Sequence, residues 1–249
     1  MNPVVVNADD LGLSREINEG IIKGLQAGVV SDTSLLIDGP CAGDAMEKLE
    51  KIGLAHLGLH INLDVLIGWD KPGEERFSRE RLEGLFQDKG FLGNCRDHAC
   101  LQIEHFLGSG LVPTHVDTHH HVHGFFPLFT LLIELMKTYH IPAVRFSRGG
   151  YSLTTRKPVP YDPVIYQEME SILLEEGIYF CRAMSEGAEK MSGIEIFPAE
   201  LVVHPSIGGD PWRIRETEVL FSEQCRLICE EKSIRLVGYR ELINDPDLS

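Results

Sequence analysis

Between Val112 and Gly124 the chain reads Val-Pro-Thr-His-Val-Asp-Thr-His-His-His-Val-His-Gly, and five of its eleven histidines fall from His115 to His123, with Asp117 among them. Imidazoles and carboxylates ligate divalent cations and move protons near neutral pH, so this density points to metal-assisted chemistry. Held extended, the run puts His115, Asp117, His119, His121 and His123 on one side and Val112, Thr114 and Val116 on the other. Gly124 breaks the strand, and Phe125-Phe126-Pro127-Leu128 leads into an apolar helix. The stretch lies mid-chain and is not an expression tag. The competing reading is a solvated His-rich loop that picks up metal adventitiously.

Other residues are placed to complete such a site. Asp9-Asp10 follows the apolar run Val4-Val5-Val6, and paired carboxylates after a buried strand are costly unless something cationic holds them. Neighbouring strand residues point opposite ways, so one Asp is expected to face a metal and the other water or substrate; the bland reading is a turn before a helix opened by Ser14. His60, in Gly58-Leu59-His60-Ile61-Asn62-Leu63, would alone be a core histidine. With Asp10 and His119 it makes a two-His, one-carboxylate set that leaves positions open for water and substrate. His204 precedes Pro205, which keeps it extended and suits a strand end. Arg145, after Val144, is a natural orienting partner for the paired aspartates.

These residues need a scaffold that gathers strand ends. Strands are expected near residues 3–6, 33–37, 54–63, 112–118, 143–146, 178–182, 200–204 and 234–237. Helices are expected at 17–27, 42–51, 97–107, 128–139, 164–176 and 216–231, with a last helical turn at 239–243. Segments 64–93 and 147–163 lack clear periodicity and read as binding loops, and they carry the aromatic residues Trp69, Phe77 and Tyr151. Strand and helix alternate without a linker, which argues for parallel strands with right-handed crossovers. The expectation is a single α/β domain over 1–249, a (β/α) barrel of TIM type, distorted or incomplete. Such a barrel collects its chemistry at the C-terminal ends of strands, where Asp9-Asp10, His60, Asp117 to His119, Arg145 and His204 all fall. No Gly-x-Gly-x-x-Gly follows the first strand, which disfavours a dinucleotide fold.

Composition sets the outer limits. The net charge of −15 over 249 residues argues against nucleic acid or an anionic membrane as partner and fits a small neutral or cationic substrate. Six cysteines without a Cys-x-x-Cys pair, and no bilayer-length apolar run or basic leader, suggest reduced thiols and the cytoplasm.

Asn7-Ala8-Asp9-Asp10-Leu11-Gly12, Gly58 to Leu63, His115 to His123 and His204-Pro205, in that order, resemble the YdjC/ChbG family of carbohydrate deacetylases. The resemblance implies a barrel related to polysaccharide deacetylases, a homodimer, and one divalent cation per subunit, with magnesium usual in the family and zinc, cobalt or nickel suited to the donors. It also implies hydrolysis of acetyl groups from N-acetylated sugars such as chitooligosaccharides. By motif, Asp10, His60 and His119 would be the metal ligands, Asp9 the general base and His204 the general acid. Arg145 would steer Asp9, Asp117 would hold an imidazole in its ligating tautomer, and His121 and His123 would line the pocket. Ser206 stands where the family commonly has glycine, and Phe146-Ser147-Arg148 where it often has Leu-Pro-Arg. The alternatives are a metal-dependent phosphoesterase or other barrel hydrolase, disfavoured by a single ligand set and no Gly-rich phosphate cradle, and a non-catalytic sugar- or metal-binding protein.

Overall fold

The computed structural model describes residues 1–68, 79–146, 151–152, 157–158 and 162–245, with only the backbone at 79–80 and in the two dipeptides. Its elements run β1 (Asn2–Leu11), α1 (Arg15–Ala27), β2 (Asp32–Leu35), α2 (Ala42–Ile52), β3 (His56–Ile61), α3 (Asp64–Ile67), α4 (Arg79–Gln87), α5 (Lys89–Gly108) and β4 (Val112–Thr118). A 3-10 turn over His119–Gly124 leads to α6 (Phe126–Tyr139), the dipeptide pair β5 (Tyr151–Ser152) and β6 (Lys157–Pro158), and α7 (Pro163–Glu176). Then follow β7 (Ala183–Glu186), a second 3-10 turn, β8 (Ala199–Val203), α8 (Pro211–Leu220), α9 (Glu223–Glu231), β9 (Ile234–Leu236) and α10 (Tyr239–Asn244).

The central sheet is parallel, in the order β4-β3-β2-β1-β8-β7, with β9 paired to the start of β1. Beyond β4 the pairing continues through single bridges, Val116 with Val144 and Ala143 with Tyr179. The Arg182 amide then donates to Pro198 O at 2.8 Å, beside β7 and β8. Hydrogen bonds therefore run from one edge of the sheet round to the other, and the fold is a distorted (β/α) barrel. The strands expected at 143–146 and 178–182 are only these bridges; the regular pairing with β8 begins one step later, at Ala183.

Alternation decides what each face of a strand does. Val4, Val6 and Ala8 of β1, with Leu57, Leu59 and Ile61 of β3 and Leu201 and Val203 of β8, belong to the main apolar core. Burying one such aliphatic side chain is worth about 1.5–3 kcal/mol. Val5 has the opposite parity and packs with Ala143, Cys181, Val237, Tyr239 and Leu242, a small apolar plug. Above Val5 the same parity continues with Asn7 and Asp9, and on other strands with Ser34, His60, Asp117 and Glu200, all buried. The barrel interior is thus apolar at one end and polar towards the C-terminal ends of the strands.

Two helical expectations change. The segment read as irregular from 64 to 93 contains α3, α4 and the start of α5, which Asp88 caps by accepting from the Phe91 amide at 2.7 Å. The helix expected over 216–231 is two helices, because Ser222 caps a new one by accepting from the Cys225 amide at 3.1 Å. Among the described residues no helix is long and apolar enough to cross a membrane.

Candidate active site

Asp9 and Asp10 end β1, where the register with β2 slips between Ala8 and Leu11 and Asp10 takes a left-handed φ of 68°. Such backbone costs a non-glycine residue of order 1–3 kcal/mol and persists only where the surroundings enforce it. It cancels the alternation expected of neighbouring residues, so both carboxylates line one cavity of about 560 Å³. That volume is ordinary for a small-molecule site.

The His-rich stretch also departs from the extended reading. β4 stops at Thr118, and His120 and His121 take left-handed φ values of 61° and 54° within the following turn. The imidazoles accordingly scatter instead of sharing a face. His119 reaches Asp10, and His120 Nε2 lies 3.3 Å from Asp64 Oδ2. His121 lines the cavity, with Nδ1 3.5 Å from Arg145 Nη1. His123 does not line it: its Nδ1 is 2.6 Å from the Thr118 hydroxyl, buried. His115 lies stacked on Tyr239, ring centroids 4.1 Å apart, and burial pushes its pKa down to about 4. Gly58 is glycine because a Cβ there would come within 2.4 Å of the His115 ring nitrogen Nε2.

Three donor atoms converge at the strand ends. Asp10 Oδ1 lies 3.0 Å from His119 Nδ1 and 3.4 Å from His60 Nε2, and the two ring nitrogens are 3.3 Å apart. Asp10 Oδ1 is buried and has no hydrogen-bond partner of acceptable geometry. On the far side of the His60 ring, Nδ1 is 2.7 Å from Asp117 Oδ1, which fixes the proton there and leaves the Nε2 lone pair facing Asp10. A set of one carboxylate and two imidazoles around an orphaned oxygen fits a divalent cation.

The surrounding charges fit it as well. Arg145, fully buried, donates to both oxygens of Asp9 at 2.7 and 2.6 Å, lies 2.7 Å from Asp117 Oδ2, and donates to Glu200 Oε1 at 2.8 Å. Arg213 Nη2 donates to Asp10 Oδ2 at 2.5 Å. Four buried carboxylates therefore face two guanidiniums, an excess of two negative charges. Burial opposes a charged His60, but Asp117 and Asp9 push its pKa up to about 10. Burial also acts to raise the Asp10 pKa, yet His119, His60 and Arg213 hold it well below the usual range. Glu200 escaped the sequence reading. Its signal was a lone carboxylate inside the buried run Ala199 to Val203, where a charge must have a partner.

Helix α8 and the loop after β8 also line the cavity. His204 lines the cavity, and its backbone amide donates to Glu216 Oε2 at 2.8 Å, with its Nδ1 3.6 Å from that oxygen. Burial works to lower the His204 pKa, but the Glu216 interaction and the charges of Asp10 and Asp9 raise it above its ordinary value. Trp212 sets its ring edge-on to His204 at 5.5 Å and covers the Arg213 guanidinium at 4.5 Å. Trp69 and Phe77 lie outside the described residues, as does the Tyr151 side chain. Trp212, Arg213 and Glu216 were missed by the sequence reading, although Asp210-Pro211 before them is a helix-start signal.

Residues 3–231 match the family described as YdjC-like protein. The chain belongs to this family. YdjC-like relatives include proteins named carbohydrate deacetylase from Clostridium beijerinckii, 34% identical over 96% of this chain and 99% of the relative, and from Vibrio cholerae, 33% identical over 59% of this chain. The matched part spans 60% of the Vibrio cholerae protein's length. A crystal structure from Enterococcus faecalis V583, named for cellobiose-phosphate cleavage, superposes with a TM-score of 0.73 at 24% identity and covers 97% of this chain and 98% of its own. A lactam utilization protein from Thermus thermophilus gives 0.50 at 14% identity, covering 94% of this chain and 99% of its own. Both likenesses are of fold.

Proposed function

We propose that this protein is a metal-dependent carbohydrate deacetylase that hydrolyses the acetamido group of an N-acetylated sugar of the chitooligosaccharide kind. The reading rests on one observation: Asp10 Oδ1, His60 Nε2 and His119 Nδ1 converge within 3.4 Å on one wall of a cavity that has His204 on another. The names of the YdjC-like relatives support the reaction class.

A divalent cation held by Asp10, His60 and His119 would polarise the acetyl carbonyl and acidify a water beside it. Two nitrogens and one oxygen favour zinc, cobalt or nickel over magnesium, which prefers oxygen donors. Asp9 is aimed by the Arg145 guanidinium and sits 4.0 Å from His60 Nε2. It takes the proton of the attacking water as the water oxygen bonds to the acetyl carbon. His204, whose pKa burial acts to lower but Glu216 raises above its ordinary value, gives its proton to the amine nitrogen as the carbon–nitrogen bond breaks. Acetate and a free amino sugar result.

The test is acetate release from a panel that includes N,N'-diacetylchitobiose, using protein stripped of metal and reloaded with magnesium, zinc, cobalt or nickel. Release should depend on the cation and vanish in His119→Ala. Asp9→Asn should keep the cation while losing about 10²- to 10⁴-fold in turnover. One cation bound per chain without release from any sugar would overturn the proposal.

A further inference from the structure

Arg213 is 8% exposed, and its guanidinium is committed on one side only. Nη2 donates to Asp10 Oδ2 at 2.5 Å, the Trp212 ring lies over the guanidinium carbon, and Nε is 4.0 Å from Asp210 Oδ2. Nη1 is buried and has no hydrogen-bond partner among the described residues. Leaving a buried donor unpaired costs about 1–3 kcal/mol, and more for a charged group. An arginine that served only to neutralise Asp10 would be better placed in the bidentate fork that Arg145 makes with Asp9. Arg213 lines the cavity, and it gives one nitrogen to the carboxylate while the other stays buried and unpaired.

The position of that spare donor is informative. Its guanidinium is fixed to one oxygen of Asp10, whose other oxygen belongs to the ligand set. An acceptor that reaches Nη1 would therefore sit beside the carboxylate that belongs to the ligand set. Arg145 cannot supply this donor, because its nitrogens are taken by Asp9, Asp117 and Glu200.

Building on the deacetylase reading, we propose that Arg213 is a catalytic residue whose Nη1–H binds the acyl oxygen as the carbonyl becomes tetrahedral. When the water oxygen bonds to the acyl carbon, the carbonyl π pair moves onto the acyl oxygen, and Nη1–H donates to it. The pair then returns to re-form the carbonyl, the carbon–nitrogen bond breaks, and the amine takes its proton from His204. The same donor holds the acetate product until it leaves. Interactions realised only in the transition state raise kcat, and loss of one oxyanion donor costs about 10²- to 10³-fold.

The experiment compares the full chain with Arg213→Lys and Arg213→Met. It measures acetate release from N,N'-diacetylchitobiose across cation and substrate concentrations, cation affinity by calorimetric titration, and inhibition by added acetate. At saturating cation the Met variant should lose about 100-fold or more in kcat with KM within about threefold, and acetate should inhibit it more weakly. Lys can still pair with Asp10 but has no second nitrogen, so it should restore cation affinity and leave kcat low, which also controls for a Met variant that folds poorly. A deficit that disappears when cation is raised would assign Arg213 to holding Asp10 and overturn the proposal, as would an unchanged kcat in both variants. Absence of acetate release from the unsubstituted chain would overturn the deacetylase reading and this proposal together.

Discussion

On the strand side of the cavity, three of the polar groups are held by other buried groups: Asp9 by Arg145 and Asn7, His60 by Asp117, and Asp117 by Ser34 and Arg145. On the α8 side the holding is looser. Arg213 keeps an unpaired nitrogen, His204 Nδ1 stands 3.6 Å from its carboxylate, and Trp212 is 43% exposed. One wall is over-determined and the other leaves hydrogen-bonding capacity in hand. The contrast fits a division of labour. A cation needs ligands that do not move, since small displacements cost affinity, whereas a substrate needs groups whose partners arrive with it.

Four substitutions probe this contrast. Arg145→Met strands three buried carboxylates, so it should destabilise the protein by about 3–5 kcal/mol and lower Tm by about 10 °C or more. A thermal melt within a few degrees of the unsubstituted chain would mean that the strand wall is not over-determined. Asp117→Asn removes the carboxylate behind His60, and calorimetric titration should show cation affinity down about 10- to 100-fold. Equal affinity would show that the His60 ring orients itself.

On the other wall the effects should be smaller. The Glu216 carboxylate raises the His204 pKa, and the proposed mechanism needs His204 protonated, so activity should be lost as pH rises through that pKa. Glu216→Gln lowers it, and the alkaline limb of kcat/KM against pH should move to lower pH while the acid limb stays. A limb that does not move would remove His204 from the role of acid. Trp212→Ala should raise KM for the sugar by about 2- to 10-fold, the worth of one aromatic face, and leave cation affinity untouched. A fall in kcat with steady KM would instead make the ring a cover for Arg213.

How far the sequence could be read follows the same division. Asp9, Asp10, His60, His119 and His204 line one cavity, and Arg145 stands directly behind it, because a parallel barrel brings strand ends together whatever the loops do. The alternation that located them also misled. It put Asp9 and Asp10 on opposite faces and His119, His121 and His123 with His115, and both errors come from left-handed residues, at Asp10, His120 and His121, that no period records. Glu200 was hidden because its partner Arg145 is fifty-five positions away. The α8 residues were hidden because Trp, Arg and Glu on a helix start are common on any surface, and only Asp210-Pro211 marked where the helix begins.

β1 carries a consequence for how the protein is made. Its hydrogen-bonding partners are β2 from residue 32, β8 from residue 199 and β9 from residue 234. A ribosome adding about 5–20 residues per second has passed every other strand of the barrel by the time the second flank of β1 and the end of its seam exist. Until then the strand that carries Asp9 and Asp10 has an open edge, and Glu200 has not yet been made to share Arg145. The candidate cation site would thus be a late product of synthesis, and a nascent chain halted before residue 199 should hold no metal however much of the His-rich stretch it already contains.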